Sequence, residues 1–388
     1  MKAKTLISSF ILTAIVTGCS SDKQSKGSLP YIDASKNYPE KEIILTDIAD
    51  VTYVHLNTDN DDYLYRGSIR RVTENTYIVY DNSSGSILFF SKDGNPKSRF
   101  NRRGRGPEEY MDATVINYDE ITDDVFVGVF FPFADFIQVY SSTGKYKRKI
   151  AVPGVSLNKI VNFDEHSLFV FDENFDIKRY HEMIGSPFET EKEYDSPFFL
   201  ISKTDGKIID NIKLPPYDIV LIAPDGRTRI STKKLIECPE GVLLCNPETD
   251  TVYLYGKDKS LIPVLYKTPP VSHLDPMIIL NNCMDVGRYQ FIELITATQT
   301  RPVQYYFRDK NSGEVFRPKI VLPEYKGKEF NIGPYRSPMN YDYGTRFSLD
   351  LLELKQADRE NRLSGKLKEL VKSLKYDDNE VFMMVRFK

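Results

Sequence analysis

Apolar and polar positions in this chain alternate in short runs, and the runs come in pairs. Tyr77-Ile78-Val79-Tyr80 leads into a turn over Asp81 to Gly85, a second run Ile87-Leu88-Phe89-Phe90, and a further turn at Lys92-Asp93-Gly94. β-Branched and aromatic residues in such runs predict strands, and the Asp, Asn, Ser and Gly between them supply turn conformations. The arrangement returns at Val125 to Val129 with Phe136 to Tyr140 and Ser142-Thr143-Gly144, then at Leu168 to Phe171 with Phe198 to Ile201 and Thr204-Asp205-Gly206. Weaker copies are Val242 to Cys245 with Thr251 to Tyr255, and Gln290 to Leu294 with Gln304 to Phe307 and Asn311-Ser312-Gly313. Hairpins recurring at intervals of tens of residues predict a repeat architecture. A radial array of sheets, a β-propeller, satisfies such units because each covers its neighbour's apolar face.

A radial array needs closing, and the two ends of the chain offer the strands. Val51 to Leu56 (VTYVHL) stands alone before the first full repeat, and Val381 to Phe387 (VFMMVRF) stands alone at the end. Their pairing within one blade would clasp the ring. Between them Leu349, Leu352, Leu363, Leu367, Leu370, Val371 and Leu374 follow helical spacing, weakened at Gly365. A helical insertion packed on the parent domain is therefore expected over about 348–375. Residues 43–388 would hold eight compact blades at roughly 40 to 45 residues each. The irregular segments 173–195, 207–235 and 326–347 read as insertions and lower the count to six.

The N-terminus is of another character. Lys2 and Lys4 precede an apolar run from Leu6 to Val16, and Val16-Thr17-Gly18-Cys19 closes it. The run is too short to span a bilayer, and small residues before a cysteine read as a lipoprotein signal over 1–18 with Cys19 as the lipidated residue. Ser20 to Ser28 is small and polar, so 19–42 is expected to be a flexible tether. Loss of Lys2 and Lys4 takes the formal net charge from -3 to -5. That mild value gives no reason to expect nucleic acid as a partner. With no later apolar stretch of spanning length, lipid would be the only membrane attachment, at the outer membrane on a side the sequence leaves open. Of the remaining Cys238, Cys245 and Cys283, an odd number argues against a disulfide framework; the first two could bridge, but strand burial favours free thiols.

Four landmarks occur in order along the mature chain: Asp47-Ile48-Ala49-Asp50 leading into VTYVHL; the hairpin TYIVYDNSSGSILFFSKDGN; Gly104-Arg105-Gly106-Pro107-Glu108-Glu109-Tyr110; and Tyr376-Asp377-Asp378-Asn379-Glu380-Val381 after the leucine-rich segment. Together they resemble a Gram-negative family of six-bladed, NHL/TolB-like β-propeller lipoproteins. That family's loop usually reads GRGPGEY and its terminus DDNPV, so Glu108 and Glu380 depart from the pattern. The resemblance implies a lipid-anchored, all-β six-bladed propeller without a settled activity, and supplies no catalytic residues.

Candidate chemistry concentrates in one loop. Arg99, Arg102, Arg103 and Arg105 precede Glu108, Glu109 and Tyr110. Arginine forks suit a carboxylate or phosphate, and Tyr110 could stack on a sugar face. The competing reading is architectural: Gly104 and Gly106 shape a tight crossover, Pro107 stiffens it, and Arg105 pairs with an acidic neighbour. The loop is no Walker motif, since no Gly-Lys-Ser/Thr follows. His55, His166, His181 and His273 lack metal-ligand spacing. Asp59, Asp61 and Asp62 lack the glycine and closing glutamate of a calcium loop. Asp172, Glu173 and Asp176 read as a solvated turn. No catalytic residue, metal site or cofactor is expected. The chain is read as an envelope binding module for a glycan or partner protein; the alternatives are a metal-assisted lactonase or lyase on a propeller, and a structural subunit of an outer-membrane complex. Cys19→Ser should leave an unprocessed or soluble protein, because the acylated thiol is missing. Membrane fractionation checks this, and a variant that still sediments with the outer membrane like wild type would refute the lipoprotein reading.

Overall fold

A computed structural model describes residues 29–58, 60–113, 115–128, 134–155, 157–172, 185, 196–215, 234–246, 249–332 and 345–388. Cys19, Asp59, Glu173, Asp176 and His181 lie outside these residues, as do large parts of the three expected insertions. The strands form six sheets, and the fold is an all-β six-bladed propeller. Blades 1, 2 and 3 are four-stranded antiparallel meanders, spanning 67–100, 115–155 and 157–211. Blades 4 and 5 span 234–268 and 278–321 and carry extra outer strands. Blade 6 joins Thr345–Leu349 and Val381–Phe387 to Ala49–His55. The hairpins read from the sequence are the second and third strands of blades 1 to 5.

Apolar residues fill both faces of a strand because each blade has a neighbour on either side. In blade 2, Val125 and Val127 pack with Ile78 and Phe89 of blade 1, whereas Phe126 between them packs with Ile160 and Val170 of blade 3. In blade 3 the alternation repeats: Leu168 and Val170 meet blade 2, and Phe169 and Phe171 meet Leu244 and Tyr255 of blade 4. The core is thus a set of interblade layers rather than one central mass. Turns complete the contact. Gly206, in the third-to-fourth-strand turn of blade 3, has φ +78°, and a Cβ there would lie 2.0 Å from the Ala151 carbonyl oxygen on the last strand of blade 2. Gly94 meets the His55 carbonyl of blade 6 in the same way, at 2.1 Å.

The ring closes where the sequence places it. Residues 381–387 pair antiparallel with 49–55, from Val381↔His55 to Phe387↔Ala49. Asn379, only 5% exposed, locks the junction: its Nδ2 donates to the carbonyls of Leu56 (3.1 Å) and Tyr63 (3.0 Å), and its Oδ1 accepts from Tyr65 N (3.3 Å). Asp378 accepts from Thr58 Oγ1 at 2.6 Å. The helical insertion is the pair Leu351–Arg359 and Gly365–Ser373; Asp350 caps the first by accepting from Glu353 N at 2.8 Å. Leu354, Leu363, Leu367 and Val371 join the core of blades 4 to 6, while Leu352 faces solvent.

One expectation changes. The tether drawn to residue 42 gives way earlier to strands, because Tyr31–Asp33 pairs parallel with the last strand of blade 4, and Glu40–Ile44 pairs parallel with 317–321 of blade 5. Ile32 and Ile43 are buried there, each the one buried residue of a short strand. Cys238, Cys245 and Cys283 are not joined by disulfides and are buried in one apolar cluster. The register puts Cys238 opposite Gly241 and Cys245 opposite Lys234, at the two ends of their hairpin. Gly206→Ala should destabilise more than Gly327→Ala, since both adopt positive φ, costing roughly 1–2 kcal/mol for an L-residue, but only Gly206 abuts a neighbouring blade and Gly327 has nothing within 4 Å. Thermal melting of the two variants gives the comparison.

Candidate functional site

In a four-stranded meander, first-to-second and third-to-fourth turns share one end, and second-to-third turns and interblade crossovers share the other. The arginine-bearing loop is the crossover from blade 1 to blade 2. Its backbone is held from within. Tyr110 N donates to Arg102 O at 3.0 Å, Gly104 N donates to Tyr110 O at 3.0 Å, and the Glu109 carboxylate accepts from Gly106 N at 2.7 Å. A Cβ on Gly104 would lie 1.9 Å from Glu109 Oε2, so glycine and glutamate are complementary parts of one turn. From outside, Gln138 Nε2 donates to the Pro107 carbonyl at 3.0 Å and Tyr140 Oη to the Glu108 carbonyl at 2.9 Å. Both donors belong to blade 2.

The proposed site residues divide into two groups. Tyr110 is 2% exposed and its hydroxyl donates to Gly85 O at 2.8 Å while accepting from Arg102 N at 3.2 Å. Burial is the first cause that pushes its phenol up to about 12. It is a plug between crossover and hairpin, and the expectation that it stacks on a sugar is corrected. Arg102, Arg103, Arg105 and Glu108 are exposed. Arg102 Nε donates to Gly144 O at 3.0 Å, and Arg103 Nε to Met111 O at 3.4 Å. Arg105 makes no hydrogen bond or ion pair among the described residues, contrary to the acidic partner expected for it. Arg99 pairs instead with Asp62 at 2.8 Å, outside the group.

A second feature lies at the opposite end. The first-to-second-strand turns of blades 1 to 4 surround a cleft of about 430 Å³. Arg71 of blade 1 reaches across the axis to Glu237 of blade 4, the diametrically opposed blade; their side chains are 12% and 5% exposed. Lys203 pairs with Asp119 at 2.7 Å, linking blade 3 to blade 2. Related ties cross elsewhere near the axis: Lys159 Nζ donates to Leu235 O at 2.9 Å, and Arg346 Nη2 to Ile69 O. Burial, then the neighbouring Arg70, holds the Arg346 guanidinium down to about 10. None of these residues stood out in the sequence. The available signal was a carboxylate in successive first turns, Glu74, Glu120, Asp164 and Glu240, whose convergence depends on the ring. Among the described residues no group of three or more His, Cys, Asp or Glu is placed to hold a metal.

The architecture defines a six-bladed propeller with a braced polar crossover loop at one end and a charged cleft at the other. Residues 20–209 match the family described as "6-bladed beta-propeller". A solved structure from Bacteroides fragilis NCTC 9343, described as a "Putative exported protein", is 17% identical and superposes with a TM-score of 0.63 over 93% of this chain and 100% of that one. Streptogramin B lyase is 11% identical over 71% of this chain and 78% of its own, with a TM-score of 0.33. The WD40 propeller domain of Doa1 is 11% identical over 69% and 72%, also at 0.33. At these identities the first likeness speaks for the fold, and the other two are too loose to bear on it. No curated protein matches the chain.

Tyr110→Phe should cost about 1–3 kcal/mol, because Gly85 O and Arg102 N lose their partner at a buried site. Arg105→Ala should change stability by less than about 0.5 kcal/mol. Denaturant melts of the two variants separate the architectural from the exposed part of the loop. Equal losses would contradict that division.

Proposed function

We propose that the protein is a lipid-anchored envelope binding module whose arginine loop recognises an anionic group, a carboxylate, sulfate or phosphate, displayed by a glycan or a partner protein. A six-bladed propeller suits a binding or interaction module in general, since its loops gather at the ends of a rigid ring. The observation that carries the finer reading is Arg105. Among the described residues its guanidinium has no partner, and its backbone is braced by Glu109, Tyr110, Gln138 and Tyr140. Arg102 and Arg103 stand beside it, and among the described residues their guanidinium hydrogen bonds run through Nε. Preorganised forks lose little freedom on meeting an oxyanion, and bidentate contact adds directional selectivity.

Anchoring through Cys19 and an outer-membrane location rest on the N-terminal sequence and on the resemblance carried by the GRGPEEY and DDNEV segments. Among the described residues no helix is long and apolar enough to cross a membrane. The Arg103→Ala, Arg105→Ala double variant should lose capture of acidic glycans or partners from envelope extracts while its melting changes little, since exposed charges contribute about 0–1 kcal/mol. Undiminished capture at unchanged stability would overturn the loop assignment. Neutral glycans captured as well as sulfated or uronate-bearing ones would overturn the anionic specificity.

A further inference from the structure

We infer that the cleft at the other end of the propeller is a second binding site, which takes a lysine- or arginine-bearing polypeptide segment. The inference does not depend on the arginine loop, because the two features occupy opposite ends of the blades.

Charge accounting gives the ligand's sign. Three cations, Arg71, Lys203 and Lys257, line the cleft against six carboxylates, those of Glu74, Asp119, Glu120, Asp164, Glu165 and Glu237; Arg71 pairs with Glu237 and Lys203 with Asp119. The carboxylates of Glu120 and Asp164 are held by neutral donors. Glu120 accepts from Thr76 Oγ1 at 2.6 Å and from Asn75 N and Nδ2 at 3.2 Å each; all three donors are neutral, and Lys97 Nζ donates at 2.9 Å to the Thr76 hydroxyl rather than to the carboxylate. Asp164 is held by His166 N at 2.8 Å and by Ser167 N and Oγ at 2.7 Å, with the Lys203 ammonium on its own carbonyl at 2.6 Å. Glu74 and Glu165 are exposed on the same rim. Carboxylates gathered around a walled depression focus a negative potential into it.

Shape and lining narrow the ligand further. The cleft holds about 430 Å³ and spans four blades, within the range of sites that enclose a substantial part of a ligand. Its wall includes Val72, Val161, Phe163 and Val242, while Ile121 on the rim is 97% exposed. An apolar wall beneath an acidic rim matches a side chain with a methylene stem and a cationic head, which is lysine or arginine. The exposed isoleucine adds a contact for a neighbouring apolar residue. A bare polyamine would use the rim but not Ile121, so a polypeptide segment is the occupant assigned.

The probe is a labelled lysine-rich octapeptide containing leucine, titrated into the purified chain and followed by fluorescence anisotropy, with spermidine and a glutamate-rich octapeptide as comparators. The lysine-rich peptide should bind and weaken as salt rises; the acidic peptide should not bind at the cleft. Glu74→Gln with Glu120→Gln and Glu165→Gln should weaken the lysine-rich peptide about tenfold or more. Should loss of the Glu120 charge disturb folding, Glu74→Gln with Glu165→Gln, both on exposed groups, should still weaken it severalfold, and Ile121→Ser should weaken the peptide but not spermidine. Absence of binding by wild type, or undiminished binding by the two folded charge variants, would overturn the site. Spermidine binding as tightly as the peptide, with no effect of Ile121→Ser, would overturn the polypeptide assignment.

Discussion

Closure of the ring is the constraint on which the remaining structure depends. Each blade is apolar on both faces, so an unclosed array would leave two faces and two sheet edges in water. Seven residue pairs between 381–387 and 49–55 prevent this. Backbone pairing supplies the length of the clasp, and Asn379 supplies its register by serving Leu56, Tyr63 and Tyr65 together. Once the ends meet, Arg71 and Glu237 can face one another across the axis, and loops distant in sequence acquire fixed neighbours. The cleft is therefore a product of closure rather than of any local segment, whereas the crossover loop is braced within blades 1 and 2.

The molecule keeps architectural and available polar groups apart within very short stretches. In the crossover loop, members of one motif serve different tasks: Glu109 and Tyr110 hold backbone, whereas Arg105 is exposed. At the other end Glu120 combines both tasks, since neutral donors position its carboxylate without cancelling its charge. The crossover sets Arg102, Arg103 and Arg105 beside Glu108, Glu109 and Asp112, whereas carboxylates outnumber cations around the cleft.

Much of the fold was legible because repeated hairpins are a periodic signal. Tyr77 to Phe90 has the same pattern as Val125 to Tyr140, and the lone runs at 51–56 and 381–387 announce a clasp by having no local partner. The outer strands at 31–33 and 40–44 were not legible, since three to five residues with one buried isoleucine each carry no detectable period. The candidate loop was recognisable as a motif, yet the burial of Tyr110 depends on Gly85 and Tyr140 in other strands. The cleft was illegible for a related reason. Glu74 and Glu120 are unremarkable turn carboxylates until a ring brings their turns to one mouth.

The two N-terminal outer strands also decide how the fold bears tension. The chain passes through Tyr31–Asp33 on blade 4 and Glu40–Ile44 on blade 5 before it reaches the clasp strand at Ala49. A pull applied upstream of residue 29 must first slide or peel these short strands from their edges. The arrangement works like the strain relief on a cable, in which the outer grip yields before the connector is loaded. Force entering from that side would be dissipated in reversible fraying of a few hydrogen bonds, leaving the seam of the ring unloaded.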